Sequence, residues 1–457
     1  MIVYLLVFTT GLLFIINYAV ANKDYMNPSV IFCAMNFLCA SICVVICIMY
    51  AVDFHFNGYF VLTVGAMIFT VFNLIYCKGY RIHFQSFISN NTEIRSIRYT
   101  HISDIWLLFF LFFEFVVAFY MAKYVSNISA AFYGHSNDLL TSAANYNRIL
   151  KNYGDEMRQL DVHAHAFYTY GWPLVIATNL IFFSVSVYNF LYFKKKEVLI
   201  WLACVIMVLM SFITGARSTA FKLVLALVVE FVLIYRTTKS SIGEGNKKIF
   251  GKLFLLGCIG VVLFFAATGW LGRRTDFVLF EYVSAYIGAP LLNLDISLQS
   301  SMYETKIWGQ ETFHNFYSYI GSIFDISWLR YDLHQPYLYL NGHYLGNVYT
   351  MYYMFIEDFG YFGIVPLTSI VAWFYSSMYS RLKKMKKMFP FSLYIYSYMF
   401  SSIFTLVFTN RFYEDAMRAQ AFRVYFWLMI VLFCLRAGVF RNGRNIKIGK
   451  KKRCLCG

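Results

Sequence analysis

Charge is scarce in this chain. Only 14% of its 457 residues are Asp, Glu, Lys or Arg, where soluble proteins carry about a quarter. Acidic groups are the scarcest, 23 Asp and Glu against 39 Lys and Arg, for a formal net charge of +16. The apolar excess, 60% hydrophobic with a mean hydropathy of +0.57, runs through the whole length. That excludes a soluble enzyme on one membrane anchor, and also disorder, collagen and coiled coil. Metal and nucleotide signatures are missing too: no HExxH, no P-loop, no Rossmann glycine run and no acidic metal pair. Of ten cysteines, eight sit inside apolar runs (Cys33, Cys39, Cys43, Cys47, Cys77, Cys204, Cys258, Cys434) and two in the tail (Cys454, Cys456). None has metal spacing, and none lies in a long loop where a disulfide would act.

What is present is membrane-spanning sequence. A transmembrane helix takes about 20 apolar residues. Such runs stand at 2–20, 29–51, 59–77, 105–122, 168–192, 198–214, 219–235, 252–271, 360–380, 389–409 and 421–437. The expected fold is an all-α polytopic membrane protein, a single integral domain over 1–457 with about eleven transmembrane helices. The connecting segments 22–28, 78–104, 193–197, 236–252, 381–388 and 436–457 hold 26 of the 39 Lys and Arg. The positive-inside rule puts them in the cytoplasm, with a basic tail over 438–457. It leaves the N-terminus outside, and the positive charge is explained without nucleic acid. Ala19-Val20-Ala21 resembles a signal cleavage site, but Met1 to Leu5 has no basic residue, so 2–20 is read as a first span.

On the outer side lie a polar loop (123–167), a second of nearly 90 residues (272–359) rich in Tyr and Gly, and a short charged turn (410–420). Both long loops are too aromatic and too poor in Pro and Ser to be disordered, so short helices on the membrane face are expected. Four groups carry chemistry. In Thr214-Gly215-Ala216-Arg217-Ser218-Thr219, a tight turn meets a helix N-terminus, with Ser218 or Thr219 as cap. Arg217 and the deeper Lys222 make it an anion site suited to pyrophosphate; the alternative is an arginine that snorkels to the interface. Arg273 and Arg274 follow a span, where cations also simply favour a helix C-terminus. Glu357, Asp358 and His343 are candidate bases, with N-capping the competing role for the two carboxylates. Arg411, Tyr413, Glu414, Asp415 and Arg418 form either a sugar-phosphate site or a surface ion-pair cluster. Tyr282, Tyr286, Trp308, Phe313, Phe316, Tyr317, Tyr319, Trp328, Tyr331, Tyr337 and Tyr339 crowd the same loops; sugars stack on such rings, and membrane interfaces recruit them.

Three stretches resemble the oligosaccharide repeat-unit (O-antigen, Wzy-type) polymerases of bacterial envelopes. Thr214-Gly215-Ala216-Arg217-Ser218 is similar to that family's small-residue/Arg turn. Tyr286-Ile287-Gly288-Ala289-Pro290-Leu291-Leu292-Asn293 is similar to its Tyr-x-Gly-x-x-x-x-Asn segment. Gly346-Asn347-Val348-Tyr349-Thr350 through Asp358-Phe359-Gly360-Tyr361-Phe362-Gly363 resembles its GNxYT…DFGxxG ending. The resemblance implies a GT-C-like bundle with large periplasmic loops and glycosyl transfer at the outer face of the inner membrane, without metal or cofactor. Donor and acceptor would be undecaprenyl-pyrophosphate-linked oligosaccharides, with a chain-length regulator and a flippase as pathway partners. Arg217, Lys222, Arg273, Arg274, Arg411 and Arg418 would hold the pyrophosphate. Tyr286, Asn293, Asn347, Tyr349, Tyr413 and Glu414 would hold sugar, and Glu357, Asp358 or His343 would act as base. Alternatives are an O-antigen ligase or a lipid-linked oligosaccharide flippase. A flippase needs charges along the whole crossing, whereas here Glu114, Glu230 and Lys222 are the few inside spans. No corresponding pair of broken spans in two halves is evident, which counts against inverted-repeat transporters.

Overall fold

The structure, a computed structural model, describes residues 1–79, 99–136, 138–153, 156, 157, 160, 162–238, 286–300, 305–383, 385 and 389–440. The expected span at 252–271, Arg273, Arg274, Tyr282 and the tail beyond 440 lie outside these residues. The described chain is overwhelmingly helical. In order run α1 (Ile2–Val20), α2 (Pro28–Met49), α3 (Phe56–Leu74), α4 (Asp104–Tyr133), α5 (Leu139–Asn152), α6 (Trp172–Phe193), α7 (Val198–Met210), α8 (Arg217–Thr238), α9 (Ala289–Ser297) and α10 (His314–Ile323). A two-stranded hairpin, β1 (Leu338–Leu340) and β2 (His343–Gly346), precedes α11 (Met351–Phe359) and α12 (Ile364–Leu382). Then come α13 (Phe391–Met399), α14 (Ser402–Thr405), α15 (Arg411–Ala416) and α16 (Ala419–Ala437).

Eight helical segments among the described residues are long and apolar enough to cross a membrane, and Val198–Thr214 is a shorter apolar one. One expected span fails as a single helix: 389–409 breaks at Phe400-Ser401 into α13 and α14. Two outer-loop boundaries also shift. Helix α4 continues to Tyr133, eleven residues past the apolar run, because α5 packs along its extension. Residues 351–359 belong to a helical segment continuous with α12 rather than to the loop.

Helix α6 is the central post. Of its most apolar stretch 83% is buried, against 28–50% in the other seven candidates. Helices α16, α8 and α7 pack around it, α13 packs on α8, and α12 joins this group to the α1–α2–α3 cluster.

Described residues of the six basic segments meet at one end of this bundle. Asp24, between α1 and α2, pairs with Arg236 of α8 at 2.6 Å and with Lys383 after α12 at 2.9 Å, and accepts from the Tyr379 hydroxyl at 2.8 Å. Burial pushes the Asp24 carboxyl up, but the two cations more than offset it and hold it below its usual range. Arg436 donates to the Phe389 carbonyl, Ser103 N–H to the Phe440 carbonyl, and the Tyr99 hydroxyl to Glu197. Segments that the charge rule groups as one side are therefore physically joined.

Candidate functional site

At the opposite end, the chain leaves α7 through a single 3-10 turn, Ser211–Thr214, and reverses at Gly215 (φ +67°) into α8. Helix α5 lies across this reversal: Asn147 donates to the Gly215 carbonyl at 3.0 Å. A Cβ on Gly215 would stand 2.4 Å from the Ala143 carbonyl oxygen, so the approach requires glycine. Helix α8 begins at Arg217, which leaves Ala216 at the cap position. Ser218 and Thr219 therefore sit inside the first turn instead of capping it.

Beyond the turn is a cavity of about 80 Å³, several times the roughly 10–15 Å³ that one water needs and below the several hundred of a site that engulfs a whole small molecule. It fits a compact polar head. Ser218, Thr219 and Lys222 come from α8, Tyr398, Ser401 and Thr405 from the broken α13–α14 segment, Arg411 and Asp415 from α15, and Arg418 and Gln420 from the start of α16. Three cations face one carboxylate among the lining residues. The N-termini of α8 and α16 both open here, and each adds partial positive charge. Irregular backbone within a bundle is tolerated where it lines a cavity, which accounts for the break at Phe400-Ser401.

Lys222 pairs with Asp415 at 3.3 Å and rests 3.9 Å above the Tyr398 ring. Arg411 pairs with Glu414 at 3.1 Å, and that carboxylate holds its guanidinium above the usual value, so it remains charged. Glu414 also accepts from Thr409 at 2.8 Å. Arg418 is exposed and has no carboxylate partner among the described residues. Arg217 is buried, 5% exposed, and is not among the lining residues. Of the expected pyrophosphate-binding residues, the structure thus gathers Lys222, Arg411 and Arg418 around the cavity, with Arg217 one residue before the lining residue Ser218.

Helix α15 joins this cavity to the large loop. Asn410 donates to the Thr312 carbonyl at 3.1 Å, Asn315 to the Glu414 carbonyl at 2.9 Å, and Phe313 packs edge-on against Tyr413. Asp358, near the end of α11, accepts from the Glu311 and Thr312 backbone N–H groups at 3.0 and 2.6 Å. It thus fastens the loop and does not N-cap the next helix, as its own helix precedes it. Glu357 is buried. His343 is exposed on the hairpin and stacks on Tyr50, with ring centroids 4.0 Å apart, in contact with neither carboxylate. Several expected sugar-binding residues have internal partners: Asn293 donates to Leu345 and Val348 carbonyls, Tyr349 to Pro336 and Tyr413 to Leu367. Tyr286 is exposed and Asn347 half-buried.

Two groups were not signalled by the sequence. Glu311 is fully buried, accepts from the His334 N–H at 2.9 Å, and burial pushes its carboxyl up to about 7, with Asp358 and Glu357 adding to the shift. Asp295, also fully buried, accepts from the His55 N–H and from its ring at 2.9 Å. Neither carries a local pattern that marks it, because the histidine partner of each is tens to hundreds of residues away. Comparison with known proteins finds no family model, no curated protein and no solved structure that matches the chain.

Proposed function

We propose that this protein is a metal-independent membrane glycosyltransferase, an oligosaccharide repeat-unit polymerase. It would transfer a growing undecaprenyl-pyrophosphate-linked glycan onto a lipid-linked repeat unit at the periplasmic face of the bacterial inner membrane, in lipopolysaccharide, capsule or exopolysaccharide synthesis. The supporting observation is the cavity in which Lys222, Arg411 and Arg418 and two helix N-termini converge. The departing group in such a transfer is a lipid diphosphate, and the cations stabilise charge as it develops. A charge-assisted hydrogen bond of about 1.5–3 kcal/mol corresponds to some 10–100-fold in rate for each cation whose contact tightens in the transition state. In this reading the bundle is GT-C-like, the basic end is cytoplasmic, the loops that close the cavity are periplasmic, and Arg273 or Arg274 adds to the site. His343, Glu357 or Asp358 removes the acceptor proton.

The test is purified protein in lipid vesicles with a synthetic lipid-linked repeat unit. Glycan ladders are expected from the wild type, and a 10–100-fold slower rate from Arg418→Ala. Absence of ladders from well-folded wild type, or wild-type rates in Arg411→Ala and Arg418→Ala alike, refutes the assignment. A second reading has one observation in its favour: the broken α13–α14 helix lines the cavity, as discontinuous helices do at transporter ion sites. A lipid-linked oligosaccharide transporter would move labelled lipid across the vesicle without lengthening it.

A further inference from the structure

Helix α6 carries Asn179, Ser184 and Asn189 at five-residue steps, about 7.5 Å each along the axis. Each meets a carboxyl group from a different element. Asn179 donates to Glu114 of α4, Ser184 to Glu230 of α8 at 3.0 Å, and Asn189 to Glu197, just before α7, at 2.8 Å. Glu114 and Glu230 are fully buried, as are both asparagines to within 1%. No Lys or Arg pairs with any of the three carboxyl groups among the described residues. An ionised carboxylate in such a place is costly, far more than a neutral acid with hydrogen-bond partners.

The hydrogen bonds carry the point further. Both amide hydrogens of Asn179 are committed, one to Glu114 Oε1 and one to the Val175 carbonyl. Asn189 repeats the pattern, with Glu197 Oε1 and the Thr100 carbonyl. The orientation of each amide is therefore fixed, and its oxygen is left buried without a donor. In both pairs the same atoms are buried and unpartnered: the asparagine Oδ1 and the glutamate Oε2. Two acceptors cannot bond each other. One hydrogen on each carboxyl turns Oε2 into a donor, the group that the unpartnered amide oxygen lacks. Glu230 also has one buried oxygen, Oε1, without a partner.

We propose that α6 organises a proton-binding file, in which Glu114 and Glu197 are neutral acids hydrogen-bonded to Asn179 and Asn189, Glu230 is a third acid between them, and protons enter from the basic end at half-buried Glu197. The ligand is the proton; it comes from water at that end and returns to it, with only O–H bonds made and broken. Cys204 lies within electrostatic range of both Glu114 and Glu230, Arg436 within range of Tyr394, and His101 and Asp104 within range of Glu197, to which Tyr99 donates. At Glu197 burial raises the carboxyl above its usual value. This file is separate from the cationic cavity and does not rest on the glycosyl-transfer reading.

Infrared spectroscopy of the full chain in lipid tests it. Wild type at neutral pH should show protonated-carboxyl absorption, reduced by a separate share in each of Glu114→Gln, Glu230→Gln and Glu197→Gln, and raising the pH should remove the Glu197 share first. Glu114→Gln, which keeps a donor and an acceptor, should unfold at the wild-type temperature, whereas Glu114→Ala should unfold lower. Wild type without protonated-carboxyl absorption at neutral pH, variants that leave that absorption unchanged, or Glu114→Gln as unstable as Glu114→Ala would each overturn the proposal.

Discussion

Replacing Gly215 with alanine probes the turn on which the cationic cavity is built. Three costs add. The residue adopts φ +67°, a left-handed conformation that costs an L-residue about 1–2 kcal/mol. The new Cβ would stand 2.4 Å from the Ala143 carbonyl oxygen, where ordinary contact is 3.4–4 Å, so α5 must retreat by roughly 1 Å. That retreat stretches the 3.0 Å bond from Asn147 to the Gly215 carbonyl, worth about 1 kcal/mol. The forced retreat itself costs about 1–3 kcal/mol, so the sum is about 3–6 kcal/mol. Gly342 supplies the control, because it too has positive φ (+80°) but open space around its Cβ position. Gly342→Ala should cost only the backbone share, about 1–2 kcal/mol. Unfolding of both purified variants in detergent gives the comparison, and limited proteolysis within 139–152 reports the displacement of α5 directly. Equal losses in the two variants, with α5 equally protected, would refute the packing of α5 on this turn.

Asp24→Asn leaves Arg236 and Lys383 facing each other at a buried site and should destabilise by about 3–5 kcal/mol, read as a lowered unfolding temperature; a loss under 1 kcal/mol would mean that the cluster is solvated. Glu311 is held near 7 against a usual 4.5. An acid raised in the folded state contributes most when protonated, so stability should fall as pH rises from about 4.5 through 7, by up to about 3 kcal/mol. Glu311→Gln should abolish that slope, and an unchanged slope would show that another group titrates. Lys222→Met should free Asp415 and convert the cavity from anion-attracting towards neutral. Binding of inorganic pyrophosphate, followed by calorimetry, should weaken by at least 10-fold and is expected to be unaltered in Lys306→Met.

That the basic segments share one end was legible in the sequence because lysines and arginines stand at the edges of apolar runs, and hydropathy marks those edges. The contacts among Asp24, Arg236 and Lys383 join three of the six segments, those among Phe440, Ser103, Tyr99 and Glu197 join the other three, and Arg436 reaches Phe389, one residue past 381–388. Continuity of a helix was not legible. Residues 389–409 are apolar throughout, and hydropathy records composition, not whether the hydrogen-bond ladder survives Phe400-Ser401. The cavity was legible in pieces: Lys222 stood out as a charge in a span, and Arg411 and Arg418 as a charged turn. Their convergence was hidden, since nearly two hundred residues separate them and only the packing of α15 and α16 beside α8 brings them together. Glu311 was invisible for a related reason: a single acid in an aromatic loop gains meaning only from Asp358 and His334.

The clamp at Asp24 also bears on how the chain is made. Its partners Arg236 and Tyr379 are 212 and 355 residues downstream. The first hairpin therefore leaves the ribosome and enters the bilayer long before its counter-charges exist. Translation must pass Lys383 before the anchor can close. A ribosome stalled short of that point would leave Asp24 paired with Arg236 at most, because Tyr379 and Lys383 arrive only with the last fifth of the protein.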